Sequence, residues 1–275
     1  MGAFFLLLIF LLSSVSVNAK PTVLVTIAPY AYFVKRMAGD LVQMEILVPP
    51  GSNPHIFEPT PKQVGEAGRA ALWLRIEEPF EKKVLSVFKE QNQKLVTLNL
   101  LDNVVLLKDS HACCHEAVDR HVWLDPKIVM GQVKHIQSLL IAYYPDYKEA
   151  IVENTTRLLA DLQALDKRLT ARLSPYTNTT FLVSHPAFGY FARAYGLTQL
   201  SIEHEGKDPL PRQVVSMLQE VRARGVSRVI TQPQYNNKGA ELVANKLKLK
   251  IDSIDPYAFD YFGMMDRLAE VITAP

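Results

Sequence analysis

The chain has 275 residues, 48% of them hydrophobic and 21% charged, with a formal net charge of +2. That length accommodates one large domain or two lobes, each able to bury a core. The near-neutral balance removes any compositional basis for binding nucleic acid or an anionic membrane surface.

The first charged side chain is Lys20, and Ala3 to Leu12 is an unbroken apolar run. Small residues follow, ending in Val17-Asn18-Ala19. This is the pattern of a secretory signal peptide over residues 1–19, with cleavage expected after Ala19. The run is short for a membrane span. An uncleaved anchor helix is the alternative, because no Lys or Arg precedes the run. No cysteine lies near the cleavage site to carry a lipid anchor. The mature chain is expected to be soluble and extracytoplasmic.

The remainder contains an internal repeat. Glu58-Pro59-Thr60-Pro61-Lys62-Gln63-Val64 and Asp208-Pro209-Leu210-Pro211-Arg212-Gln213-Val214 both read acid-Pro-x-Pro-base-Gln-Val, 150 residues apart. Upstream of them, the segment Pro29 to Gly39 parallels Pro186 to Gly196. Each half shows four short apolar, β-branched runs. They lie at Val23–Ile27, Met44–Val48, Leu72–Ile76 and Leu95–Asn99, then at Phe181–Ser184, Leu197–Ile202, Arg228–Thr231 and Lys250–Ile254. They alternate with amphipathic stretches, which predicts an α/β protein of two similar lobes, each with a mostly parallel four-stranded sheet flanked by helices.

Between the halves the chain reads as helix. Asp125-Pro126 is an N-cap followed by Pro at the first helical position, opening a helix through about Tyr143. Pro145 begins a second, to about Ser174, whose stripe Ile151, Leu158, Leu162, Leu165, Leu169 and Leu173 fits the helical period. The expected organisation is an N-terminal lobe over 20–144, a stiff linking helix over 145–174 and a C-terminal lobe over 175–275.

Of seven histidines, three occupy positions where an open α/β sheet binds ligands, beyond the carboxyl ends of strands or in a loop before a helix. His55 follows the second run, His185 follows Phe181–Ser184, and His121 precedes the helix at Pro126. Asp255 follows the last run. Three neutral imidazoles and one carboxylate suit a borderline dication such as zinc or manganese. No H-x-x-x-H or C-x-x-C pattern ties the four together. His135 reads as a solvated residue of its helix, and Trp123, Phe188, Tyr190 and Phe191 as core and cleft wall.

The chain resembles the metal-binding solute-binding proteins of ABC importers for zinc, manganese or iron, the ZnuA/TroA type, from about Val23 to near the C-terminus. The motifs that carry this are Asn53-Pro54-His55-Ile56-Phe57-Glu58-Pro59-Thr60-Pro61, His121-Val122-Trp123-Leu124-Asp125-Pro126 and Ser184-His185-Pro186-Ala187-Phe188-Gly189-Tyr190-Phe191. The resemblance implies two α/β lobes bridged by one long helix. It implies metal ligands at His55, His121 and His185, with Asp255 as the fourth and Asp252 or water as its rivals. It further implies a periplasmic monomer that captures Zn2+, with Mn2+ or Fe2+ as alternatives, and delivers it to a cognate permease in the inner membrane. Zinc-type members often carry a His-rich loop before the second motif. Here His111-Ala112-Cys113-Cys114-His115 is a short version, so His111, Cys113, Cys114 and His115 are auxiliary candidates, along with His204. His and Cys donors favour zinc over manganese. A secreted zinc hydrolase with Glu58 as base is the competing reading, but no nucleophile elbow or H-E-x-x-H is present. A surface adhesin is a third, without a visible tether.

Overall fold

The computed structural model describes residues 20–108, 118–203 and 211–274. The expected signal segment lies outside them. Among the described residues no helix is long and apolar enough to cross a membrane.

The first sheet consists of β1 (Thr22–Val25), β2 (Gln43–Ile46), β3 (Leu72–Arg75) and β4 (Val96–Asn99), all parallel, in the order β2-β1-β3-β4. Helices α1 (Ala28–Ala38), α2 (Pro61–Ala67) and α3 (Pro79–Gln91) connect them. Two helices follow, α4 (Pro126–Tyr143) and α5 (Lys148–Leu173), and the second is the long helix that links the lobes. The second sheet repeats the first. Strands β5 (Thr180–Val183), β6 (Thr198–Ser201), β7 (Arg228–Thr231) and β8 (Lys250–Ser253) run parallel in the order β6-β5-β7-β8. Helices α6 (Gly189–Tyr195), α7 (Pro211–Ala223) and α8 (Lys238–Leu247) connect them, and α9 (Tyr261–Thr273) closes the chain.

All eight expected strands form, within two residues at each end. Composition explains their places. The central strands carry fully buried runs such as Val23-Leu24-Val25 and Leu72-Trp73-Leu74, as parallel strands covered on both faces must. The edge strands β2 and β8 carry Gln43, Glu45, Lys250 and Asp252, which suits a rim exposed to water. The repeat is equally physical. Pro61 and Pro211 each open a helix, where a missing N–H costs nothing. Gly39 and Gly196 each follow the first helix of a lobe with φ of +57° and +68°, a region that favours glycine.

Helix α5 has 26 residues and so spans about 39 Å. Every residue of its predicted stripe is buried. The helix packs on α1, α4 and α9. One apolar cluster runs from Val23 through the leucines of α5 to Val271. A buried seam adds polar ties: the Trp123 Nε1 donates to the Pro256 carbonyl, and the Tyr261 hydroxyl donates to the Trp123 carbonyl, each at 2.8 Å. The lobes are therefore joined by packed core as well as by chain.

Truncating the stripe should be costly. Leu165→Ala removes a fully buried side chain and is expected to destabilise by about 2–5 kcal/mol. Chemical denaturation of the metal-free chain measures this, and a loss below about 1 kcal/mol would contradict a close-packed strut.

Candidate metal centre

The two sheets turn the carboxyl ends of their strands toward a common cleft, and the loops beyond those ends build the site. In each sheet the strand order reverses beside the central strand, so the crevices open next to β1 and β3 and next to β5 and β7.

His55 lies beyond β2 in a 3-10 turn, Pro54–Ile56, where Asn53 Oδ1 accepts the His55 N–H at 2.9 Å. The following segment is locked by Thr60 and Gln63, whose reciprocal bonds cap α2. His121 precedes a 3-10 turn of buried residues, Val122–Leu124, and Asp125 then caps α4 by accepting from the Lys127 N–H. His185 follows β5 directly. Gln232, beyond β7, accepts the His185 N–H at 3.0 Å and donates to its carbonyl at 2.7 Å. This pairing fixes the backbone of His185 at the crevice of its sheet.

The three imidazoles meet. Their ring centroids are 5.2, 5.2 and 5.4 Å apart, and one ring nitrogen from each lies within 4.8 Å of the others. His121 and His185 are buried, and His55 forms the partly open side. Each ring is held from behind by a carboxylate. His55 Nδ1 lies 3.0 Å from Glu78 Oε2, His121 Nδ1 lies 2.7 Å from Asp119 Oδ1, and His185 Nδ1 lies 2.5 Å from Glu203 Oε2. A carboxylate only accepts, so each Nδ1 carries a hydrogen, and each ring in its neutral form is left with a lone pair on Nε2. This carboxylate–histidine arrangement orients ligands in metal sites and raises their basicity. Three anions behind three neutral rings also make the cleft attractive to a dication.

Glu78 is fully buried. Burial opposes its ionisation, but the adjacent His55 charge outweighs this and holds the carboxyl below its usual range. Burial likewise opposes protonation of His55, and Glu78 outweighs it, raising the imidazole above its usual value. When His55 is protonated, its Nε2 can donate to His185 Nε2 across 3.3 Å. A metal ion must displace that proton.

Of the sequence-predicted residues, the structure brings together His55, His121 and His185. Asp255 is not in the group: its Oδ1 accepts from Gln234 Nε2 at 2.7 Å and from the Tyr257 N–H at 2.8 Å. Asp252 pairs with Arg228 and Arg267. His111, Cys113, Cys114, His115 and His204 lie outside the described residues. Glu58 is exposed and pairs with Lys83, away from the imidazoles. His135 is exposed on α4, and Trp123, Phe188, Tyr190 and Phe191 are buried, as expected. Sequence reasoning missed Glu78, Asp119, Glu203, Tyr235 and Tyr257. Tyr235 stacks on His185 at 3.8 Å, and Tyr257 packs on Trp123 with its hydroxyl 3.2 Å from His121 Nε2. Asp119, Glu203 and Tyr257 lie within two residues of candidate ligands, at His121, His204 and Asp255, whereas Glu78 and Tyr235 had no such local signal.

Two equivalent α/β lobes on one stiff helix, with donor imidazoles from both meeting between them, define a bilobed solute-binding protein. The family described as zinc-uptake complex component A, periplasmic (ZnuA), matches residues 23–274. A Chlamydia muridarum protein described as metal-binding is 30% identical over 256 residues, covering 92% of this chain and 91% of its own. The high-affinity zinc uptake system protein ZnuA of Bacillus subtilis is 27% identical over 256 residues, covering 88% of this chain and 80% of its own. A crystal structure of ZnuA superposes with a TM-score of 0.87 at 28% identity, covering 92% of this chain and 98% of its own. The chain belongs to the ZnuA family.

Because His55 holds its proton above the ordinary value of about 6.5, proton competition sets in at higher pH than for a free imidazole. Affinity for a divalent cation should fall as pH falls through that raised value, by about tenfold per unit for the one displaced proton. Glu78→Gln should weaken binding about 10–100-fold at alkaline pH and move the onset of competition downward. Chelator-competition titrations across pH measure both. An unchanged affinity and pH profile in Glu78→Gln would contradict the role given to Glu78.

Proposed function

We propose that this chain captures one zinc ion between His55, His121 and His185 and delivers it, as a periplasmic monomer released from its signal segment at Ala19, to a cognate ABC-type permease in the inner membrane. The observation that carries this reading is the convergence of three imidazoles from both lobes, each tied at Nδ1 to its own carboxylate. Family membership supports the transport role, and the zinc-uptake protein of Bacillus subtilis supports the choice of ion. Three nitrogen donors also favour zinc over manganese, which prefers oxygen.

His55 belongs to the first lobe and His185 to the second, so the ion is held only while the lobes stay in register. The continuous core around α5 and the Trp123 seam restrict their relative motion to a small tilt. Such a tilt is enough, because a displacement of about 1 Å exceeds the tolerance of a coordination bond. The permease would release the ion by favouring the tilted state.

Competitive titration with zinc, manganese and iron(II) tests the reading. The wild-type chain should bind one zinc ion most tightly, and His55→Ala, His121→Ala and His185→Ala should each lose at least about a hundredfold in affinity. Stoichiometric zinc retained at wild-type affinity in all three variants would overturn the site. Tighter binding of manganese or iron(II) than of zinc would overturn the choice of ion.

A further inference from the structure

Glu77 has a φ of +58°. That is the left-handed region, which a residue with a Cβ enters at a cost and keeps only where its surroundings impose it. Asn103 and Asn178 also have positive φ, but asparagine tolerates the region, and Lys248 stands at the end of α8. Glu77 instead lies between β3 and α3, immediately before Glu78, the carboxylate behind His55.

Two groups hold this turn. Arg120 Nε donates to the Glu77 carbonyl at 2.8 Å, and Asn99 Nδ2 donates to Glu77 Oε1 at 3.0 Å. Arg120 sits between Asp119 and His121, which are closed on each other. Asp119 Oδ1 accepts from the His121 backbone N–H at 2.9 Å and lies 2.7 Å from His121 Nδ1. The contacts therefore run without a break from His121 through Arg120, Glu77 and Glu78 to His55.

We propose that Arg120 is a positioning residue for metal capture, whose hydrogen bond to the left-handed Glu77 ties the His121 loop to Glu78 and so sets the His55 ring. This inference rests on the capture site proposed above and deepens it. The Glu77 carbonyl belongs to the planar peptide unit from which Glu78 continues, so holding that oxygen fixes the plane at the start of Glu78. Pro79 restricts Glu78 from the other side, and Glu78 is extended, with φ of −59° and ψ of 148°. A carboxylate constrained at both ends of its backbone reaches His55 Nδ1 at one place, and the two ligands of the first lobe are presented as a unit before metal arrives. Such preorganisation lowers the ordering cost of binding. The Arg120 charge alone would oppose a dication, so a loss of affinity on its removal has the sign of the hydrogen bond and not of the charge.

Arg120→Met, Glu77→Gly and the double variant test this. The readouts are zinc affinity by chelator competition and the imidazole nitrogen-15 signals of the metal-free chain at alkaline pH, where neutral rings report which nitrogen carries the hydrogen. Arg120→Met should weaken zinc by about tenfold, the lower end of what partners outside the ligand set command. Its His55 signals should shift toward mixed tautomers while those of His185 stay in place. Glycine adopts the left-handed turn freely, so Glu77→Gly should bind within about twofold of wild type, and in that background the loss from Arg120→Met should shrink to below about threefold. Unchanged His55 signals in Arg120→Met, or zinc binding as tight as wild type, would overturn the inference. An equal disturbance of the His185 signals would overturn it in favour of general loosening, and an undiminished loss in the Glu77→Gly background would overturn the link through Glu77. The nitrogen signals are recorded without metal, so they test Arg120 separately from the capture site, which falls instead if the wild-type chain fails to bind zinc.

Discussion

The structure turns on a single requirement: three imidazoles on distant segments must each present an Nε2 lone pair to the same point. A free imidazole has two tautomers and a rotatable ring, so convergence of side chains alone does not make a site. Here Glu78, Asp119 and Glu203 each take one Nδ1 hydrogen and remove both freedoms. Burial of Glu78 makes the constraint stronger, since a buried carboxylate without a partner is costly and its Oε2 finds one in His55. The same charges that orient the rings also balance a bound dication.

The fold supplies the positions for this constellation through duplication. Two sheets with the same strand order place equivalent crevices face to face. Each crevice contributes backbone turns at its strand ends, and the divergence of those turns makes one lobe supply His55, Glu78, His121 and Asp119 and the other His185, Glu203, Tyr235 and Tyr257. The long helix α5 sets the distance between the crevices. Its buried stripe shares a core with both lobes and so holds them in register.

Much of the architecture was legible in the chain. Strand runs, the proline-opened helices and the leucine stripe of α5 are local patterns whose periods report burial directly. The three imidazoles were legible through their motifs and their places after strands or before a helix. The fourth position was read as the carboxylate at Asp255, because a carboxylate beyond a strand looks like a ligand. Its orientation depends on Gln234, 21 residues upstream, a partner that no local pattern reveals. Glu78 and Glu203 are separated from their histidines by 23 and 18 residues, and nothing in the Glu77-Glu78-Pro79 sequence distinguishes a buried anion from a solvated one. Tyr257 carries no local mark of its place in the site, and only the fold sets its hydroxyl 3.2 Å from His121 Nε2.

A crystal structure of the zinc-loaded chain, with anomalous scattering at the zinc edge, tests the central claim most directly. One zinc ion should lie about 2.0–2.1 Å from the Nε2 atoms of His55, His121 and His185, with Glu78, Asp119 and Glu203 still accepting from the three Nδ1 atoms. Zinc bound through any Nδ1, or bound elsewhere with the three imidazoles unligated, would contradict the account.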